Sequence, residues 1–339
     1  MKQFIFNPEH DLCLADGGCS FIPPVSAVEF ARKCSWIERY MGDGFVLEGS
    51  GITSVVPWGW NRCLKNKLLK EGYPAELLPS DVELEFIREV SRRETAMELL
   101  EYLHKGISML HSGDSASAVS PDYRIAARSL EEMEEFLQQW RRVVLKAPLS
   151  GSGKGVRFVT DALMDTDRGW CRRTLQRQGA VIVERRMEVV QEFAMLFEVT
   201  GSTRSENAGV KFRGYSMFYA SNGAYRGNLL VSNEYIEQKL CGYIPKELLE
   251  QTRLGIMDFL EEKLLGRYTG FVGVDQFVAK ASDGSFPTNS RYIYNPAMEL
   301  NLRMTMGLVA RNIYDFHSGE FGLGEGTHCF EPEKGVFKI

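Results

Sequence analysis

Lys146 closes an apolar run, Val143-Val144-Leu145-Lys146. It is followed by Ala147-Pro148-Leu149-Ser150-Gly151-Ser152-Gly153-Lys154-Gly155-Val156, so that a strand leads through a glycine-rich loop into a second strand. Glycines let backbone N–H groups approach phosphate oxygens closely, and Lys146 and Lys154 add positive charge, a combination suited to cradling a polyphosphate. Two familiar phosphate loops do not fit. A Walker A loop needs Ser or Thr after its Gly-Lys, where Gly155 stands, and Gly at its start, where Pro148 stands. A Rossmann loop opens a helix, whereas this one leads into a strand. Taken alone, the segment is equally an ordinary hairpin turn.

A second group is Met298-Glu299-Leu300-Asn301-Leu302-Arg303. In a strand, residues two apart share a face, so Glu299, Asn301 and Arg303 project together while Met298, Leu300 and Leu302 enter a core. A carboxylate beside an amide oxygen suits a hard cation such as Mg²⁺, and a neighbouring guanidinium suits a phosphate. A solvated amphipathic strand has the same pattern. Asp275 interrupts the apolar run Gly270-Phe271-Val272-Gly273-Val274-Asp275-Gln276-Phe277-Val278, and a buried carboxylate is costly unless a metal or cation compensates it. A structural pairing with an arginine would also meet that need. Glu184 ends the strand Val181-Ile182-Val183, and Glu192 opens another after Arg185-Arg186-Met187-Glu188-Val189-Val190-Gln191. Such acids can accept bonds from ribose hydroxyls or simply face water.

The elements that must position these groups fall into two styles. Residues 1–115 alternate short apolar strands with helical patterns: a strand at 2–6, a helix from Ser26 to Met41 opened by a Ser26/Glu29 capping box, strands near 45–47 and 52–58, a helix at 60–71 and one continuous helix at 81–104. That alternation predicts a small α/β layer. The segment Ser112 to Ser120 has no periodicity and marks a boundary. Beyond it, a helix from Ser129 to Arg142, with a Ser129/Glu132 capping box, precedes mostly β structure at 143–146, 156–160, 180–184, 192–199, 215–220, 228–232, 271–279 and 291–302. Helices are expected at 162–178 and 246–265.

The chain has 339 residues, 44% of them hydrophobic, enough for about two domains with substantial cores. A net charge of −5 without a basic stripe speaks against a nucleic-acid partner. No apolar leader follows the first residues and no run is long enough to span a membrane, so a soluble cytoplasmic protein is expected. Seven scattered cysteines without a C-x-x-C read as reduced thiols rather than a zinc site.

Read together, VVLKAPLSGSGKGV, VIVERRM with the following QEF, GFVGVDQFV and MELNLRMTMG resemble, in order and spacing, the ATP-grasp superfamily over about residues 90 to 315. The resemblance implies a small α/β domain at 1–115, an ATP-grasp small subdomain at 116–188 and a large subdomain at 189–339. It further implies Lys146 on the α- and β-phosphates, with Ser150, Gly151, Ser152, Gly153, Lys154 and Gly155 closing over the β- and γ-phosphates. Glu184, Arg185 and Met187 would surround the adenine and Glu192 would hold the ribose. Asp275, Glu299 and Asn301 would bind Mg²⁺, and Arg303 would meet the transferring phosphoryl group. Lys211 and Arg213, with Arg226, would line the catalytic cleft. The family's additional phosphate lysine has no counterpart in Ser91-Arg92-Arg93-Glu94, where Arg93 or Arg92 takes its place. The turn Asn7-Pro8-Glu9-His10-Asp11, directly after the first strand, stands where α/β folds place ligands and is also read as a plain polar turn.

The activity implied is an ATP- and Mg²⁺-dependent carboxylate-amine ligase working through an acyl phosphate, with small-molecule substrates and no nucleic-acid or membrane partner. An ATP-grasp kinase and a non-catalytic nucleotide-binding module are the alternatives.

Overall fold

The computed structural model describes residues 2–41, 45–46, 52–110, 123–151, 155–201, 208–221, 224–281, 291–323 and 328–338. The expected boundary segment at 112–120 and the loop residues Ser152, Gly153 and Lys154 lie outside them.

The first layer holds β1 (Lys2–Ile5), α1 (His10–Asp16), α2 (Val25–Cys34), β2 (Phe45–Val46), β3 (Ser54–Pro57), α3 (Arg62–Lys70), α4 (Asp81–Val90) and α5 (Arg93–Leu110). Its sheet is parallel in the order β2-β1-β3, the α/β layer expected from the alternation. The Ser26/Glu29 capping box does not form. The helix starts at Val25 behind Pro24, which presets the φ needed at a helix entrance, and becomes a 3-10 turn at Ser35–Tyr40.

The single helix expected at 81–104 is two helices. Ser91 ends α4, its N–H and hydroxyl both bonding Ile87 O. The N–H of Arg93, which a continuous helix would give to Glu89, instead donates to Pro148 O at 3.1 Å. A tertiary hydrogen bond thus sets the break, and it puts Arg93 at the head of α5.

The second layer comprises β4 (Arg124–Ala127), α6 (Leu130–Trp140), β5 (Arg142–Lys146), β6 (Val156–Thr160), α7 (Asp165–Gln178) and β7 (Val181–Arg185). The strands form an antiparallel sheet in the order β4-β7-β5-β6. Met133, Leu137, Leu163 and Cys171 pack on its Val143, Leu145, Val181 and Val183 face. Ser129 caps α6 by accepting from Glu132 N, but the Glu132 carboxylate reaches Arg128 N rather than closing the expected box.

The third layer is β8 (Val189–Thr200), β9 (Gly209–Ser221), β10 (Ala224–Leu230), α8 (Asn233–Leu240), α9 (Lys246–Leu264), β11 (Gly270–Lys280), β12 (Tyr292–Asn301), α10 (Met306–Phe321), β13 (His328–Glu331) and β14 (Gly335–Lys338). The sheet order is β12-β11-β8-β9-β10-β13-β14. Alternation along β8 splits the cores. Phe193, Met195, Phe197 and Val199 meet Ile256 and Leu260 of α9, while Ala194 and Leu196 meet Leu308, Val309 and Ile313 of α10 together with Phe4 and Trp58 of the first layer.

Leu84, Ile87, Leu99, Leu100 and Leu103 share the first of these cores. The segment 84–103, read above as part of the first domain, is therefore built into the large sheet. Each fully buried leucine of that core, such as Leu99 or Leu260, contributes roughly 1.5–3 kcal/mol. Among the described residues no helix is long and apolar enough to cross a membrane.

Candidate active site

Three layers meet where β5, β12 and the head of α5 converge. In the small sheet, Glu184 of central β7 is the register partner of Arg124 on β4 and of Val144 on β5, so Lys146, two residues on from Val144, reaches it diagonally. Lys146 Nζ lies 2.6 Å from Glu184 Oε2, and Arg124 Nη1 lies 3.7 Å from Oε1. Burial tends to raise the Glu184 pKa, but Lys146 and Arg124 outweigh it and hold the carboxyl below the usual range. Arg124 also donates to the carbonyls of Ala96 at 2.9 Å, Met298 at 3.0 Å and Ala297, joining the small sheet to α5 and β12.

Arg93, 6% exposed, closes the same ring from α5. Its guanidinium donates to Ala147 O, to Ser150 Oγ at 3.0 Å and to Glu299 Oε2 at 3.1 Å. Arg92 is turned aside, bonding Glu94 at 2.6 Å and Gln178 O at 2.9 Å. The loop base is shaped by Gly155, whose φ of +75° is left-handed and whose added Cβ would stand 2.7 Å from Ser150 Cβ. Gln178 secures Leu149 through both N–H and C=O, at 2.7 and 3.0 Å.

On the large sheet, Asp275 of β11 and Glu299 of β12 are direct register partners, and Gly273 pairs with Asn301. Glu299 and Asn301 therefore share the Asp275 face, as the strand pattern predicts. Asn301 Nδ2 donates to Asp275 Oδ2 at 3.0 Å, and its Oδ1 accepts from Arg303 Nη2 at 2.7 Å. Burial, and next the charge of Glu299, push the Asp275 pKa up to about 7. Two adjacent carboxylates of this kind repel one another until a cation compensates them. The donor set, two carboxylates and an amide, fits Mg²⁺. Among the described residues no three His, Cys, Asp or Glu side chains cluster as a metal site, so the amide is needed to complete the set.

The turn after β1 joins this cluster. Asn7 bonds Gly59 in both directions, at 2.9 and 3.3 Å, and His10 is buried with Nδ1 3.3 Å from Asn61 Nδ2. Burial drives the His10 pKa down to about 4, against the raising effect of Asp11. Asp11 Oδ1 accepts from Arg303 Nε at 2.8 Å. A small cleft runs here between His10, Asp11, Ser91, Ser150, Glu299 and Asn301.

The remaining expected residues are placed differently. Glu192 lies on β8 opposite Phe277, and burial raises its pKa against the opposing charge of Lys146. Arg185 gives its N–H to Tyr123 O at 2.7 Å, and Met187 packs against the main core. The Glu184 carboxylate, expected near the adenine, is paired with Lys146 and Arg124. Gly151 packs against α1, where an added Cβ would stand 2.8 Å from Leu12 Cδ2. Lys211 and Arg213 are not brought to the acid pair. They lie on β9 beside Glu198, four residues along β8 from the Ala194 row that Asp275 joins, and Arg213 lies 3.6 Å from Glu198. The sequence reading overlooked Arg124, although an arginine opening the apolar run Ile125-Ala126-Ala127 carries the same signal that singled out Asp275.

No protein-family model and no curated protein matches the sequence. Solved structures similar to the chain include D-alanyl-alanine synthetase A from Vibrio cholerae (12% identity, 95% of this chain and 97% of that one, TM-score 0.47). Another is N5-carboxyaminoimidazole synthetase from Staphylococcus aureus complexed with ADP (13%, 94% and 73%, TM-score 0.45). Biotin carboxylase from Campylobacter jejuni is similar at 14% identity, over 85% of this chain and 54% of that one, with a TM-score of 0.45. A four-stranded and a seven-stranded antiparallel sheet, joined to each other and to a small parallel α/β layer through Arg93, Arg124 and Arg303, make this a mixed α+β fold with the acidic strand pair at the junction.

Proposed function

We propose that the protein is an ATP- and Mg²⁺-dependent ligase that joins a small carboxylate to an amine or similar nucleophile. The observation that carries this reading is the convergence of Arg93 and Arg303 on the Asp275–Glu299–Asn301 face, with Lys146 on the adjoining small sheet, an arrangement of the ATP-grasp type. Phosphoryl transfer depends mainly on positioning and charge neutralisation, and these are the groups that do both. Lys146 and Arg93 would neutralise the ATP phosphates, and Glu192 would accept from the ribose hydroxyls. Asp275, Glu299 and Asn301 would hold Mg²⁺, which supplies charge compensation at the phosphate oxygens.

The reaction runs in two displacements. A carboxylate oxygen of the substrate attacks the γ-phosphorus, breaking its bond to the β-γ bridging oxygen and giving an acyl phosphate and ADP. Arg303, held by Asp11 and Asn301, steadies the charge on the transferring group. The amine then attacks the acyl carbon, phosphate leaves, and the amine nitrogen gives up a proton. No side chain forms a covalent bond. The cleft beside His10 and Asp11 would admit the substrates. Seven unpaired thiols suit a reducing compartment and a cytoplasmic enzyme.

Hydroxylamine in place of the amine tests this. Incubation with ATP, Mg²⁺, hydroxylamine and a pool of carboxylates is expected to yield a hydroxamate with ADP and phosphate. A stable phosphorylated alcohol would identify a kinase instead, and AMP with pyrophosphate would contradict both. Tight ATP binding without turnover in a complete metabolite extract would indicate a binding module.

A further inference from the structure

Lys146, Glu184 and Arg124 stand in line across three adjacent strands, β5, β7 and β4, with one anion between two cations. The two cations are held differently. Arg124, its side chain 1% exposed, is anchored by the carbonyls of Ala96, Ala297 and Met298 and cannot follow a ligand. Lys146, its side chain 13% exposed, ends β5 on a flexible four-carbon stem, and among the described residues its ammonium has Glu184 as its ion-pair partner. Glu184 Oε1 and Arg124 Nε are both buried without a hydrogen-bond partner among the described residues. With Oε1 already 3.7 Å from Arg124 Nη1, the pair keeps a charge-assisted hydrogen bond in reserve that a small shift would complete.

We propose that Glu184 is a positioning residue, the resting counter-charge of Lys146: it holds the ammonium in the nucleotide-free protein and passes to Arg124 when phosphate oxygens draw Lys146 into the cleft. The inference rests on the nucleotide-binding part of the reading above and assigns Glu184 a task other than contact with adenine. It also explains a buried carboxylate flanked by two cations in a sheet that faces a polyanion. A free lysine there would be desolvated with nothing to compensate it, and a single Lys–Glu pair would strand the carboxylate whenever the lysine left.

The sign of one substitution separates the two tasks. Glu184→Gln leaves two buried cations facing each other, so the nucleotide-free melting temperature should fall, while Mg·ADP, which then supplies the missing negative charge, should bind about tenfold tighter by calorimetry. Adding Lys146→Met to Glu184→Gln should restore part of the lost melting temperature and abolish the tightening. Arg124→Gln should weaken Mg·ADP about tenfold, because Glu184 would be abandoned as Lys146 leaves, and Arg124→Lys should recover part of that loss. Unchanged or weaker Mg·ADP binding by Glu184→Gln, with wild type binding normally, overturns the proposal. Failure of wild type to bind Mg·ADP contradicts the nucleotide reading instead. The resting pair is then judged by stability alone: coupled losses in the Lys146/Glu184 double-mutant cycle support it and additive losses overturn it.

Discussion

Asp11 of the first helix accepts a 2.8 Å hydrogen bond from Arg303 Nε, a contact spanning 292 positions that ties the turn after β1 to the end of the acid strand. Burial alone would raise the Asp11 pKa, but the charge and hydrogen bond of Arg303, with His10 and Arg93, together outweigh it and hold the carboxyl below the usual range. Asp11 thereby fixes which way the guanidinium points.

Asp11→Asn should accordingly lower kcat for hydroxamate formation by about ten- to a hundredfold, the loss of one charged hydrogen bond in the transition state, with little change in KM for ATP. A rise in KM for ATP at unchanged kcat would move Arg303 from the transferring group to ground-state binding.

Arg93 and Arg92 are adjacent in sequence but opposite in placement. Arg93→Ala should weaken nucleotide binding by about tenfold or more, since it removes a charged donor from the loop base and from Glu299. Arg92→Ala severs contacts to Glu94 and Gln178 and should leave nucleotide affinity near wild type. Calorimetric titration of both variants checks this, and the reverse ranking would contradict it.

How far this arrangement was legible follows from what sets each piece. The Glu299–Asn301 face is a property of strand alternation and needs no tertiary knowledge, and the isolated acid in an apolar strand marked Asp275. That these two acids are register partners depends on how β11 and β12 pair, which no local pattern states. The break that aims Arg93 was invisible because periodicity runs unbroken through 81–104, and a hydrogen bond to Pro148, 55 positions away by number, decides it. The Ser26/Glu29 box misled because Pro24 had already set the helix entrance. Arg124 escaped notice because its partners, three backbone carbonyls on α5 and β12 and Glu184 on the neighbouring strand β7, are all distant in sequence.

Asp275 carries a cost in the nucleotide-free protein, where burial and Glu299 both oppose its charge. Its folded pKa, about 7, lies above the unfolded value near 3.8, so the carboxyl destabilises the fold increasingly as pH rises through that window. Asp275→Asn should therefore raise the nucleotide-free melting temperature at pH 8 while removing turnover. A lower melting temperature at pH 8 would make Asp275 a structural acid.

His10 gives the opposite slope. Its folded pKa, about 4, lies below the unfolded 6.5, so its contribution is complete above pH 6.5 and is lost as pH falls towards 4, in total on the order of 3 kcal/mol. Denaturant titrations between pH 7 and pH 4 should show His10→Gln losing less stability over this range than wild type. Parallel curves would show that the ring accepts a proton in place.

The central claim, an acyl phosphate formed at the Asp275–Glu299 cleft, is tested most directly by oxygen transfer. The carboxylate that yields a hydroxamate is labelled with ¹⁸O in both oxygens and turned over with ATP, Mg²⁺ and hydroxylamine, and the released phosphate is analysed by mass. Attack of the carboxylate on the γ-phosphorus predicts one ¹⁸O in each phosphate, with ADP as the nucleotide product. Unlabelled phosphate, or label appearing in AMP, would contradict it.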